Sequence, residues 1–156
     1  MSSRSVSSGS PIWLALALTL LLASASLHAQ QALAISLKGA AQVPAVKTAA
    51  TGSAQITVLP DQTLKGSVQT SGMVATTAHL HEGSSGENGP AIITLARTTD
   101  DAFVVPAATR LSDAQYARFK AGELYLNVHS AAHPEGEIRG QLLRLEIADS
   151  PLPWAD

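Results

Sequence analysis

The chain has 156 residues, a formal net charge of -2 and no cysteine. That is one domain's worth of chain, and its charge offers no basic surface for a nucleic-acid backbone or an anionic membrane. The missing thiols exclude disulfides, thiolate metal ligands and a cysteine nucleophile. Hydrophobic residues make up 46% and charged residues only 14%. Much of that apolar weight lies near the N-terminus, so the remainder is more polar than the average suggests.

Residues 1–29 read as a secretory signal. Arg4 supplies a positive start, and residues 12–23 form an apolar run followed by Ser24, Ala25, Ser26 and Ala29. The run has the length of a signal's hydrophobic region and falls short of the ~20 apolar residues of a membrane-spanning helix. Cleavage is expected after Ala29, with Ala25 and Ala34 as chemically acceptable alternatives. No cysteine stands at the junction to carry a lipid. The competing reading is an uncleaved anchoring helix. The signal reading places the domain in the periplasm or outside the cell, with no stable membrane anchor after processing. His28 falls at the edge of this segment and is set aside.

From residue 34 the chain alternates between short extended runs and turn residues. Residues 34–39 form a short alternating strand and residues 40–50, with Pro44, a loop. Residues 52–59 and 63–70 read as a hairpin around Pro60-Asp61-Gln62, a sequence that favours a turn because proline presets φ and aspartate bonds its own backbone. Residues 76–82, 91–96 and 102–105 follow as strands, separated by a loop at 83–90 rich in Gly, Ser and Asn. Residues 112–121 are the one good helix, with Ser112 as cap, Gly122 as stop, and Tyr116 and Phe119 toward the core. Residues 123–130 and 137–147 are the last strands, and residues 147–156 a loose tail. Short strands at intervals of about ten residues predict an all-β antiparallel, Greek-key-like sandwich with one short helix. An open barrel is the alternative.

The chemistry concentrates in two strands. In Ala78-His79-Leu80-His81-Glu82 the period of two turns Ala78 and Leu80 one way, His79 and His81 the other. In Leu124-Tyr125-Leu126-Asn127-Val128-His129 the leucines and valine share one face, and Tyr125, Asn127 and His129 the other. If the strands are neighbours, His79, His81 and His129 gather on one polar face, with His133 or Glu82 near enough to join them. Three neutral imidazoles with an open fourth position suit Zn²⁺ or Cu²⁺. The alternative is a hydrogen-bonded ladder in which each ring bonds carbonyls, Glu82 or water. Arg139 has two readings as well: an ion pair with Glu137 on the sheet, which is favoured, or a guanidinium fixing the histidine loop or meeting an anion. No G-x-S-x-G elbow occurs, the 83–90 loop lacks the lysine of a phosphate-binding loop, and nothing pairs two acids across a cleft. No residue is therefore assigned a catalytic role.

Four segments together resemble the CHRD domain family. They are Leu37–Pro44 (LKGAAQVP), the His79–His81 strand with Gly86-Glu87-Asn88-Gly89-Pro90, residues 121–130 (AGELYLNVHS), and residues 134–142 (PEGEIRGQL). The resemblance spans residues 34–145. Gln42 stands where an acid is common and Ala45 where a second proline is common. The resemblance implies an extracellular or periplasmic β-rich module, bounded here at residues 34–146, that binds an unidentified partner or serves a structural role, with no established catalytic activity. A fainter similarity links His79/His81 and Gly136–Arg139 to Cu/Zn superoxide dismutase. It implies a Greek-key sandwich and keeps copper among the candidate metals, although a dinuclear site would need more histidines than the mature chain has.

Overall fold

Period-two alternation shapes most of the computed structural model, which describes residues 32–143. The expected signal segment, the tail, and the end of the expected 137–147 strand lie outside the described residues. Strands β1 (Leu33–Lys38), β2 (Thr51–Val58) and β3 (Leu64–Ser71) form an antiparallel meander. Ile35, Leu37, Ala54, Ile56, Val58, Leu64 and Val68 are buried on its inner face. In the β2–β3 turn the Asp61 carboxylate accepts from the Thr63 N–H at 3.0 Å, and Gln62 adopts a φ of 70°.

Strand β4 (Ala75–Glu82) pairs with β5 (Ala91–Thr94), and β6 (Ala96–Arg97) with β7 (Ala102–Val104). Only Leu95 separates β5 from β6, and its N–H donates to the Ala78 carbonyl at 2.9 Å. The strand order is β5-β4-β8-β9-β1-β2-β3-β7-β6, where β8 is Leu124–Ser130 and β9 is Ile138–Gln141. The β5–β6 run therefore touches both ends of the sheet, which nearly closes on itself around one apolar core. The connections β3 to β4 and β7 to β8 join strands that are not neighbours, in the Greek-key manner.

The helix, α1 (Asp113–Lys120), sits on the second of these crossings. Ser112 Oγ accepts from the Gln115 N–H at 3.2 Å, and the Gln115 side-chain oxygen accepts from the Ser112 N–H at 2.9 Å. This reciprocal cap satisfies two otherwise orphaned donors. Gly122, at a φ of 73°, ends the helix. Phe119 is buried and Tyr116 packs half-buried against the core. The expected all-β antiparallel fold with a single short helix is borne out, its sandwich-like layers being parts of one curled sheet.

Candidate functional site

Strand β8 lies between β4 and β9, and the register decides which side chains meet. His79 stands opposite Asn127, His81 opposite Tyr125, and Thr77 opposite His129. His79 and His129 are thus diagonal neighbours on the outer face of the sheet, within reach of each other's long rings. Ala78, Leu80, Leu124, Leu126 and Val128 fill the inner face. On its other edge β4 shifts register against β5 between Leu80 and His81, an irregularity of the kind that re-aims a side chain.

The three rings converge. His79 Nδ1 lies 3.0 Å from His129 Nε2, and one nitrogen from each of His79, His81 and His129 falls within 4.8 Å of the others. Two of the tautomers follow from their partners. His129 Nδ1 is 2.8 Å from the Pro134 carbonyl and His81 Nδ1 is 2.9 Å from the Gly89 carbonyl. A carbonyl only accepts, so both Nδ1 atoms carry the proton and both Nε2 atoms keep a lone pair. The His129 Nε2 lone pair accepts from His79 Nδ1. His81 Nε2 is buried and has no hydrogen-bond partner, which is an uncommon state for a buried polar atom.

Burial pulls the His79 ring below the ordinary histidine range, and the neighbouring His129 and His81 add to the effect. Burial does the same to His81; the bond to Gly89 opposes it, while His129 and Arg139 reinforce it. Both groups are thereby held neutral near pH ~7, the state in which imidazole binds a metal.

The shell around the trio is built from loops. Arg139 is 2% exposed, and its Nη1 donates to the Glu87 carbonyl at 2.8 Å and, more weakly, to Asn88 Oδ1 at 3.4 Å. Its Nη2 donates to the Ser84 carbonyl at 2.9 Å and to Gln141 Oε1 at 3.1 Å. The guanidinium also lies 3.5 Å from the centre of the Tyr125 ring, whose other face stacks on His81 at 4.8 Å. The Tyr125 hydroxyl accepts from the Gly89 N–H at 3.1 Å. A side chain at Gly89 would collide with the Glu82 carbonyl oxygen, so this position needs glycine for the close approach.

Several expected members stand elsewhere. His133 is not part of the trio; it lines a shallow cleft of about 270 Å³ with Gln42, Val43, Pro44 and Pro134. Its backbone exchanges hydrogen bonds with Ser130 in the turn after β8. Glu82 points to the opposite face from His81, as strand alternation dictates, and pairs with Arg118 at 3.3 Å. The favoured Glu137–Arg139 ion pair is corrected: among the described residues no salt bridge joins them. Glu137 precedes β9 and accepts from Thr48 Oγ1 at 2.6 Å. Against the upward push of burial, bonds from Ser130 and Thr48 and the nearby His133 hold its carboxyl below the ordinary value. Arg139 follows the less favoured reading, a guanidinium that fixes the histidine loop.

Asn127 joins two loops. Its Oδ1 accepts from Gln42 Nε2 at 2.6 Å and its Nδ2 donates to the Glu135 carbonyl at 3.2 Å. A side chain at Gly136, where φ is 125°, would strike the Asn127 amide. Gln42 entered the sequence reading only as a departure from the family pattern, not as a site residue. The signal for it was present, since Gln42 is the one polar side chain between Gly39 and Val46.

The fold and the site together define an antiparallel β-module whose outer polar face is covered by loops. The family model for the CHRD domain matches residues 33–142, and the chain belongs to the CHRD domain family. No curated protein and no solved structure matches it.

Proposed function

We propose that this chain is an exported CHRD-type binding module that holds one Zn²⁺ or Cu²⁺ ion on His79, His81 and His129. Two facts carry this reading: His81 Nε2 is buried without a hydrogen-bond partner, and His79, His81 and His129 bring one ring nitrogen each within 4.8 Å of one another. Tetrahedral nitrogens bound at about 2.0–2.1 Å sit roughly 3.4 Å apart, so the rings need only small adjustments. The Nδ1–H donors of His81 and His129 already rest on carbonyls, the outer-shell arrangement that orients ligating histidines. His79 would have to move its Nδ1 proton to Nε2. Three protein ligands leave a fourth position for water or a small ligand.

The rival reading is a metal-free histidine ladder within a binding or structural module, and the 3.0 Å His79–His129 bond favours it. Metal analysis of exported protein purified without a histidine tag, followed by Zn²⁺ and Cu²⁺ titration, separates the two. About one ion per chain is expected, with His79→Ala weakening binding at least ~10-fold and the H79A/H81A pair abolishing it. Absence of metal and of any titratable site would leave the ladder reading. For the export half, N-terminal sequencing is expected to find a start between Ser26 and Ile35; a start at Met1 or Ser2 refutes it.

A further inference from the structure

Arg139 is a buried cation without an acidic partner among the described residues. Taking a guanidinium out of water is costly unless its donors are satisfied. Here three of the four acceptors belong to one loop: the carbonyls of Ser84 and Glu87 and the side chain of Asn88. The fourth acceptor, Gln141 Oε1, belongs to a side chain whose Nε2 donates to the Gly83 carbonyl at 2.8 Å, tying down the start of the same loop. Glycines at 83, 86 and 89 give this loop little conformational preference of its own. Its shape therefore depends on its contacts: the guanidinium gathers the Ser84 and Glu87 carbonyls and the Asn88 side chain, while Asn88 Nδ2 donating to the Val43 carbonyl and the Gly89 N–H donating to Tyr125 Oη hold its far end.

That loop delivers the Gly89 carbonyl to His81 Nδ1 at 2.9 Å. This one acceptor decides which nitrogen of His81 keeps the lone pair. A second route runs through the Tyr125 ring, held between the guanidinium at 3.5 Å and the His81 ring at 4.8 Å with an interplanar angle of 18°. One route fixes the tautomer and the other fixes the plane of the ring. We propose that Arg139 is the positioning residue of the histidine site, poising His81 with its proton on Nδ1 and its lone pair on Nε2, directed at His79 and His129. The proposal rests on the metal-site reading for its purpose and not for its geometry, because the tautomer is a property of the metal-free protein.

Lysine would keep the charge but lose the planar fork that serves several carbonyls at once. The test is Arg139→Lys in the untagged protein. It is read by nitrogen-15 NMR of the imidazole rings without metal and by Zn²⁺ titration. In the unaltered protein His81 is expected to be a single Nδ1–H tautomer. In Arg139→Lys it becomes a mixture of tautomers, and Zn²⁺ affinity falls at least ~10-fold. Phe119→Leu, a core change on α1 outside the Arg139 hydrogen-bond set, is the control: it lowers stability and leaves the His81 tautomer unchanged. If Arg139→Lys does not fold, Gln141→Leu, which frees one side of the guanidinium and the Gly83 carbonyl, is read the same way. An Nε2–H tautomer in the unaltered protein overturns the proposal, as does a single Nδ1–H tautomer surviving in the variant. A tautomer shift without any Zn²⁺ binding overturns the metal reading and leaves the positioning role standing.

Discussion

On β2 and β3 the polar positions Ser53, Gln55, Lys65, Ser67 and Gln69 face solvent; on β8 the polar positions Tyr125, Asn127 and His129 are buried, His129 at 9% exposure and the other two lower. Both regions alternate apolar and polar residues with a period of two, and both turn the apolar set inward. They differ in what lies above the other face. A tight turn joins β2 to β3 and leaves their outer face bare. Over β8 three connections close down: the 83–90 loop onto Tyr125, the loop after β1 bringing Gln42 to Asn127, and the 131–137 turn bringing the Pro134 carbonyl to His129. A polar residue on a bare face satisfies itself with water. Under a roof it must find a protein partner, and the resulting fixed geometry is what a binding site requires.

The comparison can be broken most directly by truncating one polar residue on each outer face. Asn127→Ala removes the acceptor for Gln42 Nε2 and leaves that amide buried, at an expected cost of about 2 kcal/mol. Gln55→Ala, on the bare face of β2, should change stability by less than ~0.5 kcal/mol. Denaturant midpoints of the two variants check this. Equal effects would mean that the roof over β8 contributes nothing to the fold.

A smaller effect sharpens it. His79 and His81 have folded-state pKa values lowered from the ordinary 6.5, so the unfolded chain binds more protons as the solution turns acid. Their contribution is full above the ordinary value and is lost as pH falls below it. Metal-free protein should therefore unfold at lower denaturant near pH ~5 than near pH ~7.5, and the H79A/H81A pair should flatten that slope. A slope unchanged in the double variant would show that these rings do not feel their burial. The smallest effect is expected at Arg118, which meets Glu82 at 3.3 Å and Glu123 at 3.1 Å with about half of its side chain exposed. Arg118→Ala should cost below ~1 kcal/mol and less still in high salt, since exposed pairs are screened.

The fold was largely legible because its determinants are local. Alternation at Ile35, Leu37, Ala54, Ile56 and Val58, the Pro60-Asp61-Gln62 turn, and Ser112 three residues before Gln115 each act within a few residues of themselves. The matching faces of β4 and β8, aliphatic on one side and His/Tyr/Asn on the other, were legible; that the two strands are neighbours was only a condition, which the fold meets. That pairing was enough to bring His79, His81 and His129 together.

The sequence by itself determined which residues face inward, where the helix is capped, and that three histidines lie on one side of two strands. Only the tertiary structure decided that His133 stays out, that Glu82 turns to Arg118, and that Arg139 serves the 83–90 loop instead of Glu137. These outcomes depend on which backbone carbonyl arrives above which side chain. Carbonyls are identical along the chain, and those of Ser84, Glu87, Gly89 and Pro134 acquire their roles only when loops between 5 and 55 residues away in sequence from their donors fold over the sheet.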